Sequence, residues 1–277
     1  MKKNILALQI PSVIADSKSN FSNLEMYLAD IFSDKNICPD FLFLPEVWSV
    51  GWYPKCFCDC VDDGFILDFL FDIAKKYNMN IFGGSYIRRD GTLLKNSMPV
   101  ISNNGSLVGF YDKIHLYTPD GEGVLSSGVN PCIFELDGVR FGASICYDIR
   151  FPELFRSYIN VSNPIDVAFN LSAWPMTRAA QYSQMAASRA IENQCYFIAL
   201  SQCGEIKDGV YNAGCSCVYD SMGNLISSLD SKKGFMYFSI DTNNVSKTRE
   251  DYPNLINRKV CNFGFDVVEF SSEEIKC

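Results

Sequence analysis

Histidine is almost missing from this sequence: His115 is the only one in 277 residues. A metal centre built from three histidines of one chain is therefore excluded, and any Ser-His-Asp or Cys-His catalysis must pass through that single side chain. Basic residues are also in short supply. Lys plus Arg number 24 against 32 Asp plus Glu, a formal charge of −8, and basic runs go no further than pairs such as Arg88-Arg89 and Lys232-Lys233. Binding to a phosphate backbone depends on such runs, so no nucleic-acid partner is expected; the acidic excess serves solubility. No apolar run approaches the roughly 18 residues of a spanning helix, so no membrane partner is expected either. Neither GxGxxG after a strand nor GxxxxGK(S/T) occurs, which removes sequence support for dinucleotide and nucleotide chemistry.

Cysteine, by contrast, is abundant. Twelve thiols are scattered from Cys38 to Cys277 in a chain that is 48% hydrophobic and 14% aromatic, so a full core is available and the pattern is not that of a disulfide scaffold. Met1-Lys2-Lys3 before Ile5-Leu6-Ala7-Leu8 imitates the start of a secretory signal, but Asn4, Gln9 and Pro11 interrupt it. Residues 5–10 read better as a buried first strand. A cytoplasmic protein with reduced thiols is the expectation. At roughly 150 residues per domain the length allows one large or two small domains. No Pro/Gly/Ser-rich linker or shift in composition divides the chain, which favours one domain over residues 1–277.

Short β-rich runs alternate with amphipathic stretches. Strands are expected at 5–10, 41–44, 80–87, 97–102, 107–111, 132–136, 139–146, 166–171, 196–201, 215–219 and 234–240. Asn103-Asn104-Gly105, Asp137-Gly138 and Met222-Gly223-Asn224 lie between apolar runs and predict hairpins, because their residues tolerate φ > 0. Helices are expected at 21–32, 65–77, 152–158 and 179–194, the first capped by Asn20. In the last, Tyr182, Met185, Ala186 and Ala190 share a face with Arg189; if that face is buried, Arg189 requires a carboxylate partner. Mixed strands and helices imply an α/β or α+β class. The tail after Cys261 is expected to pack against a neighbouring subunit.

Residues 139–153 carry the strongest chemical signal. An apolar strand runs into Cys146, a polar turn comes next, and Pro152-Glu153 opens a helix. Such a corner exposes a thiol to substrate and to backbone N–H dipoles that favour the thiolate; the alternative is a cysteine packed as a small hydrophobe. Phe41-Leu42-Phe43-Leu44-Pro45-Glu46 places a carboxylate at the end of a buried strand, where an apolar setting raises its pKa towards that of a useful acid or base. A helix cap or salt-bridge partner is the alternative for Glu46. Lys113 comes after the strand at 107–111, either as an ammonium facing a developing oxyanion or as an ordinary solvated lysine.

Together these segments resemble the nitrilase superfamily of carbon-nitrogen hydrolases. The resemblance rests on Leu44-Pro45-Glu46, Tyr111-Asp112-Lys113-Ile114-His115-Leu116 and Cys146-Tyr147-Asp148-Ile149-Arg150-Phe151-Pro152-Glu153 in that order. It extends through Asn170-Leu171-Ser172-Ala173-Trp174-Pro175, Arg189 to Tyr196, and Gly214-Cys215-Ser216. It implies a single-domain αββα four-layer sandwich with Cys146 as nucleophile, Glu46 as general base, and Lys113 with the Tyr147 backbone N–H stabilising the tetrahedral oxyanion. No metal or organic cofactor is implied. A second active-site glutamate is carried over to Glu122, nine residues after Lys113, to orient Lys113 or the substrate amide.

The subgroup resembled is that of the omega-amidases, which implies a small carboxylate-bearing linear amide such as α-ketoglutaramate or α-ketosuccinamate, and release of ammonia through a thioester. A homodimer or higher homo-oligomer is expected. The alternatives are a deaminated-glutathione amidase or an N-carbamoyl amidohydrolase. Trp174 is read as a pocket wall or a core residue, and Arg178 as a bidentate partner for a substrate carboxylate or a solvated arginine. His115 is expected to pack and hydrogen-bond beside the site. Asp148, Arg150 and Glu153 are expected to form an ion network around the nucleophile turn. The family does not explain Cys56-Phe57-Cys58-Asp59-Cys60, which leaves a cysteine-rich metal-binding or redox module as a rival from another class, although the spacing is not that of paired CxxC zinc ligands.

Overall fold

Along the first strand the side chains alternate between two cores. Ile5 and Ala7 enter one and Leu6 and Leu8 the other, all without solvent exposure. A strand with period-2 geometry and two apolar faces must be covered on both sides. Phe41, Phe43 and Phe82 join the first core, and Leu42, Leu44 and Ile81 the second. The layered architecture is thus written into three neighbouring strands.

A computed structural model describes residues 1–62 and 64–259. In chain order the strands are β1 (Lys2–Gln9), β2 (Phe41–Phe43), β3 (Asn80–Phe82), β4 (Tyr86–Asp90), β5 (Leu93–Ile101), β6 (Leu107–Asp112), β7 (Ile133–Leu136), β8 (Val139–Gly142), β9 (Val167–Ser172), β10 (Tyr196–Ser201), β11 (Cys203–Lys207), β12 (Val210–Ala213), β13 (Cys217–Tyr219), β14 (Leu225–Ser228) and β15 (Gly234–Asp241). The main helices are α1 (Ser17–Ile31), α2 (Phe65–Tyr77), α3 (Pro152–Ser157), α4 (Ala179–Asn193) and α5 (Thr242–Asp251). One sheet runs β15-β1-β2-β3-β5-β4 with β6 also on β5, and the other runs β14-β13-β10-β9-β8-β7. Their inner faces meet through aromatic rings: Phe41 on Phe141 at 4.9 Å, Phe82 on Phe169 at 4.8 Å and Phe43 on Phe169 at 5.2 Å between centroids. Leu24, Leu28, Leu70 and Ile73 of α1 and α2 cover the outer face of the first sheet. Phe155 of α3 and Tyr182, Ala186 and Ala190 of α4 cover the second. This is the expected α/β four-layer sandwich, in one domain.

The three hairpins form at the expected turns, joining β5 to β6, β7 to β8 and β13 to β14. Arg189 is buried and does find a carboxylate: Nη1 donates to Glu192 Oε1 at 2.9 Å, while Nε and Nη2 donate to Ile149 O at 3.2 and 3.0 Å. Other expectations need correction. The first helix begins earlier, capped by Asp16, whose Oδ1 accepts from Ser19 N at 3.0 Å. Asn20 is instead buried, donating to Val13 O and Ser49 O at 2.8 Å each. The run 80–87 is two strands, because Gly83-Gly84 breaks it, and the run 139–146 ends as a strand at Gly142. The β11–β12 hairpin and α5 were not expected. The tail after Cys261 lies outside the described residues.

Gly84 shows how the first sheet positions the chain as it leaves β2. Its φ is +66°, and a Cβ there would lie 2.3 Å from Pro45 O and 2.4 Å from Trp48 Cδ1. Gly84→Ala is expected to destabilise the fold by roughly 2 kcal/mol or more and to disturb the Pro45-Glu46 segment. Gly91→Ala, also at positive φ (+60°) but with open space around its Cβ, should cost less. Thermal melting of both variants checks this, and equal losses would contradict the close-approach explanation.

Candidate active site

Both sheets deliver side chains to one end of the sandwich. β1, β2 and β3 are mutually parallel, as are β8, β9 and β10. Chain leaving the carboxyl ends of such strands supplies the site, as parallel sheets generally do: Glu46 after β2, Cys146 after β8, and Ala173 and Trp174 after β9. Lys113 comes directly after antiparallel β6, whose partner β5 contributes Asn96.

Glu46, Lys113 and Glu122, expected as site residues on separate grounds, form one buried cluster. Lys113 Nζ donates to Glu46 Oε1 at 2.9 Å and to both oxygens of Glu122 at 2.8 Å. It also sits 4.9 Å from the centroid of the Trp52 ring. Glu46 Oε2 accepts the Ala173 backbone N–H at 2.8 Å, and Glu122 Oε2 accepts that of Tyr117 at 2.6 Å. Both carboxylates are fully buried. Burial pushes the Glu46 carboxyl above the ordinary glutamate range; Lys113 opposes this and the neighbouring Glu122 charge adds to it. Burial pulls the Lys113 ammonium down, but Glu122 and Glu46 more than compensate and hold it above a normal lysine. The solvated-lysine alternative for Lys113 is therefore removed, and Glu122 is no surface carboxylate.

Cys146 sits beside this cluster. Its backbone is left-handed, with φ +46°, a conformation rarely held by a residue with a Cβ and one that redirects the side chain out of the line of β8. Asn170 fastens the turn, donating to Ser144 Oγ at 2.9 Å and Cys146 O at 3.3 Å. The first hydrogen bond of the turn beyond Cys146 is from Asp148 N to Ile145 O at 3.0 Å. The Tyr147 amide precedes it and so has no acceptor within the turn. Burial and then the Glu46 charge push the Cys146 thiol well above its usual value, against the pull of Lys113. The resting group at Cys146 is a thiol.

A cavity of about 390 Å³ opens over Cys146 and Tyr147, walled by Trp52, Tyr117, Ala173 and Trp174. Arg150 and Arg178 line it, with Lys55, Lys207, Asp120 and Asp208 further along. Trp174 lines the cavity while stacking on buried Tyr182 at 4.9 Å. Arg178 Nη1 donates to Tyr117 Oη at 3.1 Å. The expected ion network is not formed as stated. Asp148 instead accepts from Tyr111 Oη at 2.7 Å, Ile145 N at 3.0 Å and His115 N at 2.8 Å, and pairs with His115 Nδ1 at 2.7 Å. Arg150 turns to the cavity, 5.0 Å from the Trp174 ring, and Glu153 is exposed. His115 packs beside the site as expected, stacked on Phe151 at 3.7 Å.

Sequence reasoning missed Asn96 and Lys207 as parts of this region and gave Asn170 within a motif but with no role of its own. A lone asparagine in a strand carries no signal, and Lys207 arrives on the unexpected β11–β12 hairpin. Cys56, Cys58 and Cys60 lie on or next to a 3-10 turn at Pro54–Asp59 whose first residues line the cavity. Among the described residues no group of three or more His, Cys, Asp or Glu could hold a metal ion, so those thiols do not converge as a metal site would. Also among the described residues, no helix is long and apolar enough to cross a membrane.

The buried cluster should depend on its single cation. Lys113→Met leaves two carboxylates in an apolar setting and is expected to lower stability by roughly 3–5 kcal/mol near neutral pH. Loss of the ammonium raises the carboxyl pKa further above its unfolded value. A group shifted in that direction contributes its stability below the unfolded pKa and loses it as pH rises through the folded one. The deficit relative to wild type should therefore shrink in acid, and urea denaturation at about pH 5 and about pH 8 checks the sign.

Comparison with known proteins agrees with this geometry. The family model for carbon-nitrogen hydrolases matches residues 5–250. A 2-oxoglutaramate amidase of Bacillus subtilis is 30% identical over 256 residues, covering 91% of this chain and 96% of that protein. The omega-amidase NIT2 of Homo sapiens is 29% identical over 223 residues, 76% of this chain and 79% of that protein. In fold, a CN-hydrolase superfamily protein of Xanthomonas campestris superposes with a TM-score of 0.87 at 23% identity, covering 95% of this chain and all of that one. With the match running from β1 into α5 and enclosing every residue of the buried cluster, the chain belongs to the carbon-nitrogen hydrolase family.

Proposed function

We propose that this protein is an omega-amidase-like hydrolase that cleaves the C–N bond of a small, carboxylate-bearing linear amide. The supporting observation is the cavity itself, with a thiol at its floor beside a buried Glu-Lys-Glu cluster and two arginines on its walls. In this reading Glu46 takes the Cys146 proton as the sulfur attacks the amide carbonyl. The oxyanion forms against the Lys113 ammonium and the Tyr147 backbone N–H. Collapse of the tetrahedral adduct breaks the C–N bond, Glu46 returns the proton to the leaving nitrogen, and ammonia departs. Water then gives a proton to Glu46 and attacks the thioester, releasing the carboxylic acid and restoring the thiol. The raised pKa of Glu46 suits a group that both accepts and returns a proton. Glu122, bound through both oxygens, holds the ammonium in place.

Arg150 and Arg178 are the groups suited to a substrate carboxylate, which an arginine fork can hold in bidentate fashion. The relatives named for 2-oxoglutaramate and omega-amides make α-ketoglutaramate and α-ketosuccinamate the leading candidates. A cytoplasmic homodimer or higher oligomer belongs to the same reading.

Ammonia release from both 2-oxo acid amides, with wild type and Cys146→Ala side by side, tests the reading. Release by the wild type alone is expected. Turnover of N-carbamoyl amino acids or deaminated glutathione in place of these amides would move the substrate class while keeping the chemistry, and full activity of Cys146→Ala would remove the mechanism. Arg150→Gln should raise KM for a carboxylate-bearing amide by about tenfold or more, the loss expected for a charged hydrogen bond. It should leave an uncharged short amide unaffected; equal losses on the two substrates would reject carboxylate binding by Arg150.

A further inference from the structure

Asn96 touches every charged member of the buried cluster. Its backbone carbonyl accepts the Lys113 N–H at 2.9 Å. Its side-chain Nδ2 donates to Glu46 Oε1 at 2.9 Å and to Glu122 Oε1 at 3.0 Å. The two N–H bonds of one amide are thus divided between two carboxylates that would otherwise face each other with only Lys113 between them. The orientation of the amide is set by its partners, since a carboxylate oxygen can accept but an amide oxygen cannot donate. In this orientation Asn96 Oδ1 is buried with no hydrogen-bond partner among the described residues. Leaving a buried acceptor unpaired is costly, so the side chain forgoes one hydrogen bond of its own to supply two to the acids.

We infer that Asn96 is a positioning residue for the amidase reaction, a bridging donor that keeps Glu46 ionised and aimed at Cys146 while Glu122 stays on Lys113. The inference rests on the reading of Glu46 as the base. A hydrogen bond to the charged form of a carboxylate favours that form, and Asn96 provides one at Glu46 Oε1, the oxygen shared with Lys113. The other titratable groups facing Glu46 are Glu122, Cys146 and Tyr182, alongside Lys113. Glu122, Cys146 and Tyr182 cannot favour the anion by carrying positive charge. Asn96 and the Ala173 N–H are therefore the neutral donors that offset burial.

Asn96→Leu keeps the number and branching of the side-chain heavy atoms and Asn96→Ala does not, but both abolish the two donated bonds. Asn96→Ser keeps one hydroxyl donor. The backbone bond to Lys113 N remains available to all three. The acidic limb of the kcat/KM profile for a 2-oxo acid ω-amide is expected to move up by roughly one pH unit or more in the Leu and Ala variants, and less in the Ser variant. In the same proteins, glutamate δ-carbon NMR, with the Glu46 signal assigned by Glu46→Gln, should report the same upward shift. A purely structural role would track how the space is filled, favouring Asn96→Leu over Asn96→Ala, and would leave the Glu46 titration where it was. An unmoved Glu46 signal in folded variants overturns the inference. A Glu46 signal that moves while the activity profile stays fixed supports the action of Asn96 and rejects Glu46 as the base.

Discussion

A single ammonium buried between two carboxylates is the constraint around which the site is organised. Removing an ion from water costs several kcal/mol even after the protein relaxes, and Lys113, Glu46 and Glu122 are all essentially without exposure. Their mutual attraction offsets that cost only if the geometry is good and the remaining lone pairs are met. The structure meets them one by one: Ala173 N and Asn96 Nδ2 on Glu46, Tyr117 N and Asn96 Nδ2 on Glu122, and the Trp52 ring against the ammonium. Two acids against one base leave an excess of negative charge beside Cys146. Burial, together with that charge, keeps the thiol protonated at rest, and in the proposed reaction Glu46 is the group beside it that accepts its proton.

The sandwich is what brings these groups together from segments far apart in the chain. β2 and β9 lie in different sheets, yet Glu46 after one accepts the Ala173 N–H after the other, 127 positions away. Gln202, directly after β10, donates to the Glu46 backbone carbonyl at 2.5 Å, adding a second tie between the sheets beside the buried cluster. The aromatic rings packed between the inner faces set the spacing at which these polar bonds can close. Packing and chemistry are therefore coupled: a shift of one sheet over the other would change the Glu46 hydrogen bonds before it exposed much apolar surface.

The outline of this arrangement is legible in the sequence. Strand runs with alternating or continuous apolar residues, and turns of the Asp-Gly type, carry their own local signals. Glu46, Lys113 and Cys146 each stand at the end of such a run, and their order along the chain identifies the family. What escapes is whatever depends on contacts distant in sequence. Asn96 is an ordinary strand residue until two glutamates arrive beside it, and Asn20 has the composition of a cap while serving as a buried link between loops. Proximity to Asp148 and Glu153 in the chain suggests an ion network for Arg150, whereas Asp148 is bonded to Tyr111 and His115, Arg150 lies over the Trp174 ring and Glu153 is exposed.

Asp148 shows why that turn can be both strained and well defined. A left-handed backbone at a residue with a Cβ costs on the order of 1 kcal/mol or more and persists only where its surroundings hold it. The Asp148 carboxylate accepts the Ile145 N–H on one side of the strained residue, while its own N–H bonds Ile145 O. The same two oxygens accept from Tyr111 Oη and His115 N, each two positions from Lys113. One carboxylate thus joins the segment that carries Cys146 to the segment that carries the Lys113 ammonium. The spacing between sulfur and ammonium is fixed by buried hydrogen bonds and does not have to be found anew by two mobile loops. In the proposed reaction an oxyanion forming between them meets donors already in place, and preorganisation of that kind is where electrostatic catalysis gains most of its advantage over water.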